Sequence, residues 1–313
     1  MPIVQTDIPI TSESCSRMIQ EIVAAYPFCR TEVITNTAFQ RPLRTLVIGN
    51  GPRKVFYSAA HHANEWITSL VLLKYAEELA QAIASGGQIF GVAARRIADT
   101  ATIYMVPMVD PDGVDLVTGA IQPGQISYEA ARGLAANYPD IPFPDGWKAN
   151  LLGVDLNLNY PAGWLEAREI KFSQGYTRPG PRDYVGRAPF GQLESRAMAG
   201  FTQYIEPELV LAYHSQGKVI YWQFKDYVVP GARELGEQFA RVSGYTLEDT
   251  PYESSFAGFK DWFIQEFRRP GYTIEVGEGE NPLPLDQFDE IYRDNVGILT
   301  VAALGGAEEA NMD

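Results

Sequence analysis

An apolar strand pattern, Lys54–Ala60, runs straight into His61-His62 and then into a helical pattern from Glu65 to Leu79. A strand that is apolar along its whole length has to be covered on both faces, and alternating helices supply that cover. The succession recurs. Thr102–Val109 reads as a second buried strand, running into the turn Asp110-Pro-Asp-Gly113. Helical patterns fall at Thr11–Tyr26, Leu193–Tyr204, Pro230–Gly244, Phe256–Phe267 and Leu285–Leu304. Strand patterns fall at Thr31–Thr37, Leu43–Gly49, the long region Pro207–Trp222, and Tyr272–Val276. From Thr118 to Gly153 the chain reads as one long irregular stretch rich in Gly, Pro and aromatics, the kind that serves a site. These patterns predict an α/β fold with a central twisted, mixed and mostly parallel sheet flanked by helices. The 313 residues, 46% of them apolar, are expected to form one domain, with residues 1–26 as a helical extension packed on it.

The formal net charge of −14 argues against nucleic acid or an anionic membrane surface as a partner. No apolar run reaches the ~18 residues of a membrane span. The first ten residues hold no basic segment followed by an apolar one, so no secretory signal is read there and a cytoplasmic protein is expected. The mature part of an exported protein would look the same. Cys15 and Cys29 are too few for a disulfide framework and are expected to pack as small apolar residues. Oligomeric state is not legible.

The chain has three histidines, and their placement is its strongest functional signal. Two stand together in His61-His62-Ala-Asn-Glu65, and the third lies in Tyr213-His214-Ser-Gln-Gly217. A catalytic zinc site uses three protein ligands and an open position, and two His plus one Glu is an established set for peptidases. His62, Glu65 and His214 supply it for one Zn2+ ion. His62 follows a strand, His214 lies in one and Glu275 ends another, where open α/β sheets collect ligands. His61 stands i, i+4 from Glu65 and is the rival ligand, although alternation along a strand turns neighbours to opposite faces.

Five segments in order carry a resemblance: His62-Ala-Asn-Glu65-Trp66, Pro111-Asp-Gly113, Gly153-Val-Asp-Leu-Asn157-Leu-Asn159-Tyr-Pro161, Tyr213-His214-Ser and Thr273-Ile-Glu275. Together they resemble the zinc metallocarboxypeptidases of the carboxypeptidase A-like family, over roughly Pro27 to Leu304. The resemblance implies zinc held by His62, Glu65 and His214, with Glu275 as the carboxylate that takes a proton from the activated water and passes it to the leaving amine. Lys148, in Trp147-Lys-Ala-Asn150, stands where relatives place an arginine for the developing oxyanion. Asn157 and Tyr252 fall at substrate-binding positions, and Lys260 at the one that sets side-chain preference.

Two departures narrow the substrate. True carboxypeptidases carry Asn-Arg-Asn where this chain reads Asn157-Leu158-Asn159, so the bidentate grip on a terminal carboxylate is missing. A lysine at 260 favours an acidic group on the substrate. With Pro161-Ala-Gly-Trp164 and Gly258-Phe-Lys-Asp-Trp262, the chain is similar to the bacterial γ-D-glutamyl-diamino acid peptidases, which cut cell-wall peptides between D-glutamate and a diamino acid such as meso-diaminopimelate. Arg178, Arg182 and Arg187 are further cations that could meet a substrate carboxylate. The leading expectation is a zinc peptidase acting on muropeptides. A carboxypeptidase for acidic C-terminal residues, and an inactive peptide-binding relative, stay open beside it.

Overall fold

The strands that read as apolar throughout lie side by side at the centre of the sheet. The computed structural model describes residues 2–306. In chain order its elements are α1 (Ser12–Ala25), β1 (Val33–Asn36), β2 (Pro42–Arg44), β3 (Leu46–Ile48), β4 (Arg53–Ala59), α2 (Ile67–Ser85), β5 (Gln88–Ile89), β6 (Val92–Ala93), α3 (Ala94–Thr100), β7 (Ala101–Val106) and α4 (Pro111–Val117). They continue with α5 (Ile126–Ala135), α6 (Trp164–Ser173), α7 (Leu193–Ile205), β8 (Leu209–His214), β9 (Val219–Tyr221), α8 (Ala232–Ser243), β10 (Thr246–Glu248), α9 (Phe259–Phe267), β11 (Gly271–Glu275) and α10 (Phe288–Leu304). Seven strands form one twisted mixed sheet in the order β10-β9-β11-β8-β4-β7-β3. The central run β11-β8-β4-β7 is parallel, β9 is antiparallel to β11, and β3 is antiparallel to β7. The result is a single α/β domain.

Alternation along the strands divides the core into two layers. Val55 and Tyr57 of β4 and Leu209, Leu211 and Tyr213 of β8 face the layer closed by α1, α2, α3, α8 and α10. Phe56, Val210 and Ala212 face the opposite layer, closed by α6, α7 and α9. Each buried Val, Leu or Phe among them contributes about 1.5–3 kcal/mol. Continuing the alternation puts His214 on the same side as Val210 and Ala212. β11 pairs with β8 so that Glu275 is opposite His214, and the two side chains arrive together at one end of the sheet.

Helix α1 begins where Thr11 and Ser14 cap each other reciprocally. It is tied to α4 by Ser12, whose N–H and hydroxyl both donate to the Asp115 carboxylate at 2.7 Å. Cys15 and Cys29 are buried free thiols, and burial pushes both up to about 12. No helix of the described residues is long and apolar enough to cross a membrane.

The structure corrects several local expectations. The region 207–222 is two strands. β8 is parallel to β11 and β9 antiparallel to it, so the chain reverses between them. The polar Ser215-Gln-Gly217-Lys218 makes that reversal, with Gly217 and Lys218 at positive φ. Asp110-Pro-Asp-Gly113 is the start of α4, not an isolated turn: the Asp110 carboxylate accepts the Gly113 N–H at 3.0 Å and Pro111 occupies the first turn. The stretch 118–153 contains α5, whose Ala131 and Ala135 pack against Leu116, Trp147 and Leu151. Glu65 ends a short 3-10 turn over Ala63–Glu65, ahead of α2. β5, β6, α3, α6 and β10 have no counterpart in the pattern reading, being short or amphipathically weak.

Gly113 is the contact through which α4 supports this end of the sheet. A Cβ there would lie 2.6 Å from the Ala149 carbonyl oxygen and 2.7 Å from the Ala63 side chain. Ala63 adjoins His62, and Ala149 adjoins Lys148. Gly113→Ala should therefore cost about 1–3 kcal/mol of stability through overpacking, read as a thermal midpoint lowered by several degrees. A midpoint equal to wild type would show that the close approach carries no strain.

Candidate functional site

The site lies where the parallel strands end. The chain leaves β4 through His61 and His62 and makes the 3-10 turn 63–65, which delivers His62 and Glu65 to one side. β8 ends on His214. His62 Nδ1 stands 2.9 Å from Glu65 Oε1, His214 Nδ1 stands 2.9 Å from Glu65 Oε2, and the two Nδ1 atoms are 3.2 Å apart. All three residues are buried, Glu65 to 1% exposure. Among the described residues this is the one group of metal-ligating side chains whose donor atoms converge, all within 4.8 Å of one another. Tetrahedral zinc with ligands at 2.0–2.2 Å sets those ligands about 3.4 Å apart, so two neutral imidazoles and a carboxylate fit one ion with little movement.

The surroundings orient the donors. His62 Nε2 lies 3.1 Å from Asp155 Oδ1, the carboxylate–histidine pairing that fixes the tautomer of a ligating imidazole. Ser215 N–H donates to Glu65 Oε2 at 3.2 Å, and Lys148 Nζ lies 3.1 Å from Glu65 Oε1. Burial alone would raise Glu65, but His62 and Lys148 outweigh it and hold its carboxyl well below the usual range. Burial likewise opposes the His62 proton, yet the Glu65 and Asp155 carboxylates raise His62 to about 9, while burial lowers His214. Three donor atoms thus converge on one small space, and the carboxylates around it favour positive charge there.

Glu275 is half-buried beside the cluster, and burial together with the charge of Glu65 pushes it up to about 8. Lys148 is held by its backbone: its carbonyl accepts the Ala63 N–H, and its N–H donates to the Pro181 carbonyl at 2.7 Å. Two adjoining chambers open onto these groups. A smaller one of about 190 Å³ is lined by His62, His214, Asn157, Leu158, Lys171 and Lys260 among others. A larger one of about 920 Å³ is lined by Tyr176, Ser215, Pro282 and the acidic Asp140, Asp145 and Glu280. Lys148, Arg182, Tyr221, Ser254 and Glu275 line both.

The remaining expected residues are placed as follows. Asn157 lines the smaller chamber and its side-chain oxygen accepts the Phe259 N–H at 3.0 Å. Lys260 also lines it but is already partnered: Nζ is 2.7 Å from Asp261 Oδ1 and donates to the Gln223 carbonyl at 2.6 Å. Tyr252 stands apart. It is 71% exposed, packs edge-on against Phe256, and borders a separate depression with Glu166 and Lys225. His61 is fully buried, close to Tyr160 and stacked on Phe259 and His214, with no part in the cluster. Arg178 and Arg187 are exposed, whereas Arg182 lies on the cleft. The pattern reading has no role for Asp155, Lys171 or Asp183. Asp155 could be found as the acid preceding Asn157 in a motif already singled out, but Lys171 and Asp183 carry no local signal.

A buried His-Glu-His donor set with a carboxylate and a lysine at the mouth of an α/β sheet defines a metallohydrolase. The chain belongs to the zinc carboxypeptidase family, whose model matches residues 15–297. It is 42% identical over 282 residues to gamma-D-glutamyl-L-diamino acid endopeptidase 1 of Lysinibacillus sphaericus, a match covering 90% of this chain and 68% of that protein. The fold is similar to that of thrombin activatable fibrinolysis inhibitor, with a TM-score of 0.73 at 16% identity, covering 97% of this chain and 76% of the other. It is also similar to murein-tripeptide amidase MpaA from Escherichia coli O157, with a TM-score of 0.53 at 19% identity over 86% and 91% of the two chains.

Asp155 tests the cluster from outside the donor set. Asp155→Asn removes the charge that orients His62, and zinc affinity measured by chelator competition should fall about 10–100-fold. Unchanged affinity would mean that the His62–Asp155 contact does not serve the metal.

Proposed function

We propose that this chain is a zinc peptidase that hydrolyses the bond between γ-D-glutamate and a diamino acid, meso-diaminopimelate in particular, in peptides derived from the bacterial cell wall. The convergence of His62, Glu65 and His214 beside Glu275 and Lys148 carries the hydrolytic part of this reading. The substrate part is supported by the 42% identity to a relative named for that bond. In this assignment residues 1–313 are one catalytic domain, and His62, Glu65 and His214 are the metal ligands. Two buried cysteines left as thiols fit work in a reducing cytoplasm, on soluble wall fragments.

Bound there, a zinc ion supplies Lewis acidity toward a carbonyl oxygen and acidifies a water. Glu275, at the chamber wall and with a raised pKa, is suited to accept the water's proton and return it to the departing amine. Lys148 Nζ, half-buried beside Glu65 and charged, balances negative charge that develops on the carbonyl oxygen. Asn157 and Lys260 bound the smaller chamber, where the leaving amino acid would sit. Tyr252 is left out of this assignment, because it lines neither chamber.

Zinc-loaded protein incubated with L-Ala-γ-D-Glu-meso-diaminopimelate should release free diaminopimelate, detected by mass spectrometry, and a chelator should stop the release. Release of any other fragment would refute the bond assignment. Glu275→Gln should lower kcat by about 10²–10⁴-fold with zinc content unchanged, and full activity of that variant would remove Glu275 from the proton path. A diaminopimelate-amidated peptide separates this activity from a true carboxypeptidase, which should fail on it.

A further inference from the structure

Arg182 is the cleft cation whose surroundings are built most completely. Its Nε–H is taken by Asp183 Oδ2 at 2.6 Å, which leaves the Nη1/Nη2 edge to present two parallel donors to a planar anion. No hydrogen bond from that edge is found among the described residues. Asp183 is itself locked in place. Lys171 Nζ, on the largely buried Lys171, lies 2.8 Å from Asp183 Oδ1, and the Asp183 N–H donates to Asp155 Oδ2 at 3.3 Å. Asp183 also holds a left-handed backbone, φ +64°, unusual for a residue with a side chain. A continuous set of contacts therefore runs from His62 through Asp155 and Asp183 to the Arg182 guanidinium.

Position gives this rigidity a use. Arg182 lines both chambers, as Glu275 and Lys148 do, so it stands at their junction beside the bond-breaking groups. Its side chain is 41% exposed, enough to be reached. Lys260 and Lys171, two other cations of the smaller chamber, each already face a protein carboxylate within 2.8 Å. A cation held by its Nε, with its fork left open at a catalytic junction, is arranged for a ligand carboxylate.

We propose that Arg182, braced by Asp183 and Lys171, is a specificity-determining residue that binds a substrate carboxylate flanking the scissile bond. This rests on the γ-D-glutamyl reading above, which supplies two candidates: the free α-carboxylate of D-glutamate, and a carboxylate of the diamino acid. The fork takes one of them, and the two amides below tell which.

The test compares wild type and Arg182→Gln, zinc-loaded, on three peptides: L-Ala-γ-D-Glu-meso-diaminopimelate, its D-isoglutamine counterpart, and its diaminopimelate-amidated counterpart. On the parent peptide the variant should lose about 10- to 100-fold in kcat/KM. On one of the two amides, the one lacking the bound carboxylate, the substitution should make no difference, and that amide identifies which carboxylate Arg182 reads. Arg182→Lys keeps the charge without the fork and should fall between the two, and matching thermal midpoints confirm that both variants fold. A loss of equal size on all three peptides, or none on the parent, overturns the assignment. A wild type that cuts no γ-D-glutamyl bond overturns the substrate reading beneath it.

Discussion

Glu65 is 1% exposed, and a carboxylate removed that far from water loses several kcal/mol of solvation that its neighbours must offset. Its two oxygens are met by His62 Nδ1, His214 Nδ1, the Ser215 N–H and Lys148 Nζ, all within 3.2 Å. These four partners come from three separate stretches of chain, so the arrangement around one acid brings together the ends of β4 and β8 and the loop at Lys148. A metal dication at the same place would supply in one ion the positive charge that a proton and a lysine supply between them. The donor set is thus matched to a cation for electrostatic reasons as well as by shape.

Sheet geometry does the rest of the placement. Parallel strands present their carboxyl ends on the same side of the sheet, and in the β11–β8 pair the closing residues are register partners. Glu275 opposite His214 follows directly from the β11–β8 register. A one-residue slip would turn Glu275 into the layer occupied by Ile274 and Tyr272 and remove the second carboxylate from beside the cluster. The register of β8 and β11 is therefore as much a part of the site as the charged residues.

Much of this is legible in the chain itself. Apolar strands followed by helices imply the α/β class, and the scarcity of histidine draws attention to His61, His62 and His214, of which the structure brings the last two into the donor cluster. What stays hidden has a common cause. Lys171, Asp183 and Arg182 meet through a loop, at a backbone conformation that no pattern of spacing announces. Lys260 illustrates the converse limit. Its sequence position suggests a free charge, but the adjacent Asp261 turns back to pair with it, a local choice of side-chain direction invisible in the string of letters. Helix α5 escapes pattern reading for another reason, since its buried face consists of little more than two alanines within a stretch dominated by Gly and Pro.

The distribution of charge explains how an acidic protein could handle an acidic substrate. The chain carries a formal −14, and diffuse charge of that sign repels anions at long range. The smaller chamber is different: Lys148, Lys171, Arg182 and Lys260 stand there against Asp155, Asp183, Asp261 and Glu275, so its lining is formally balanced. Lys171 and Arg182 share Asp183, with the Asp155 carboxylate against the Asp183 N–H, while Lys260 and Asp261 pair with each other. At contact distance in a water-poor cleft the local balance outweighs the screened charge of the distant surface, because exposed charges beyond about 10 Å are largely hidden by salt. Under the proposed assignment, an anion is disfavoured over most of this surface and is taken at the open fork of Arg182. That contrast would act at contact range, on a carboxylate already inside the cleft.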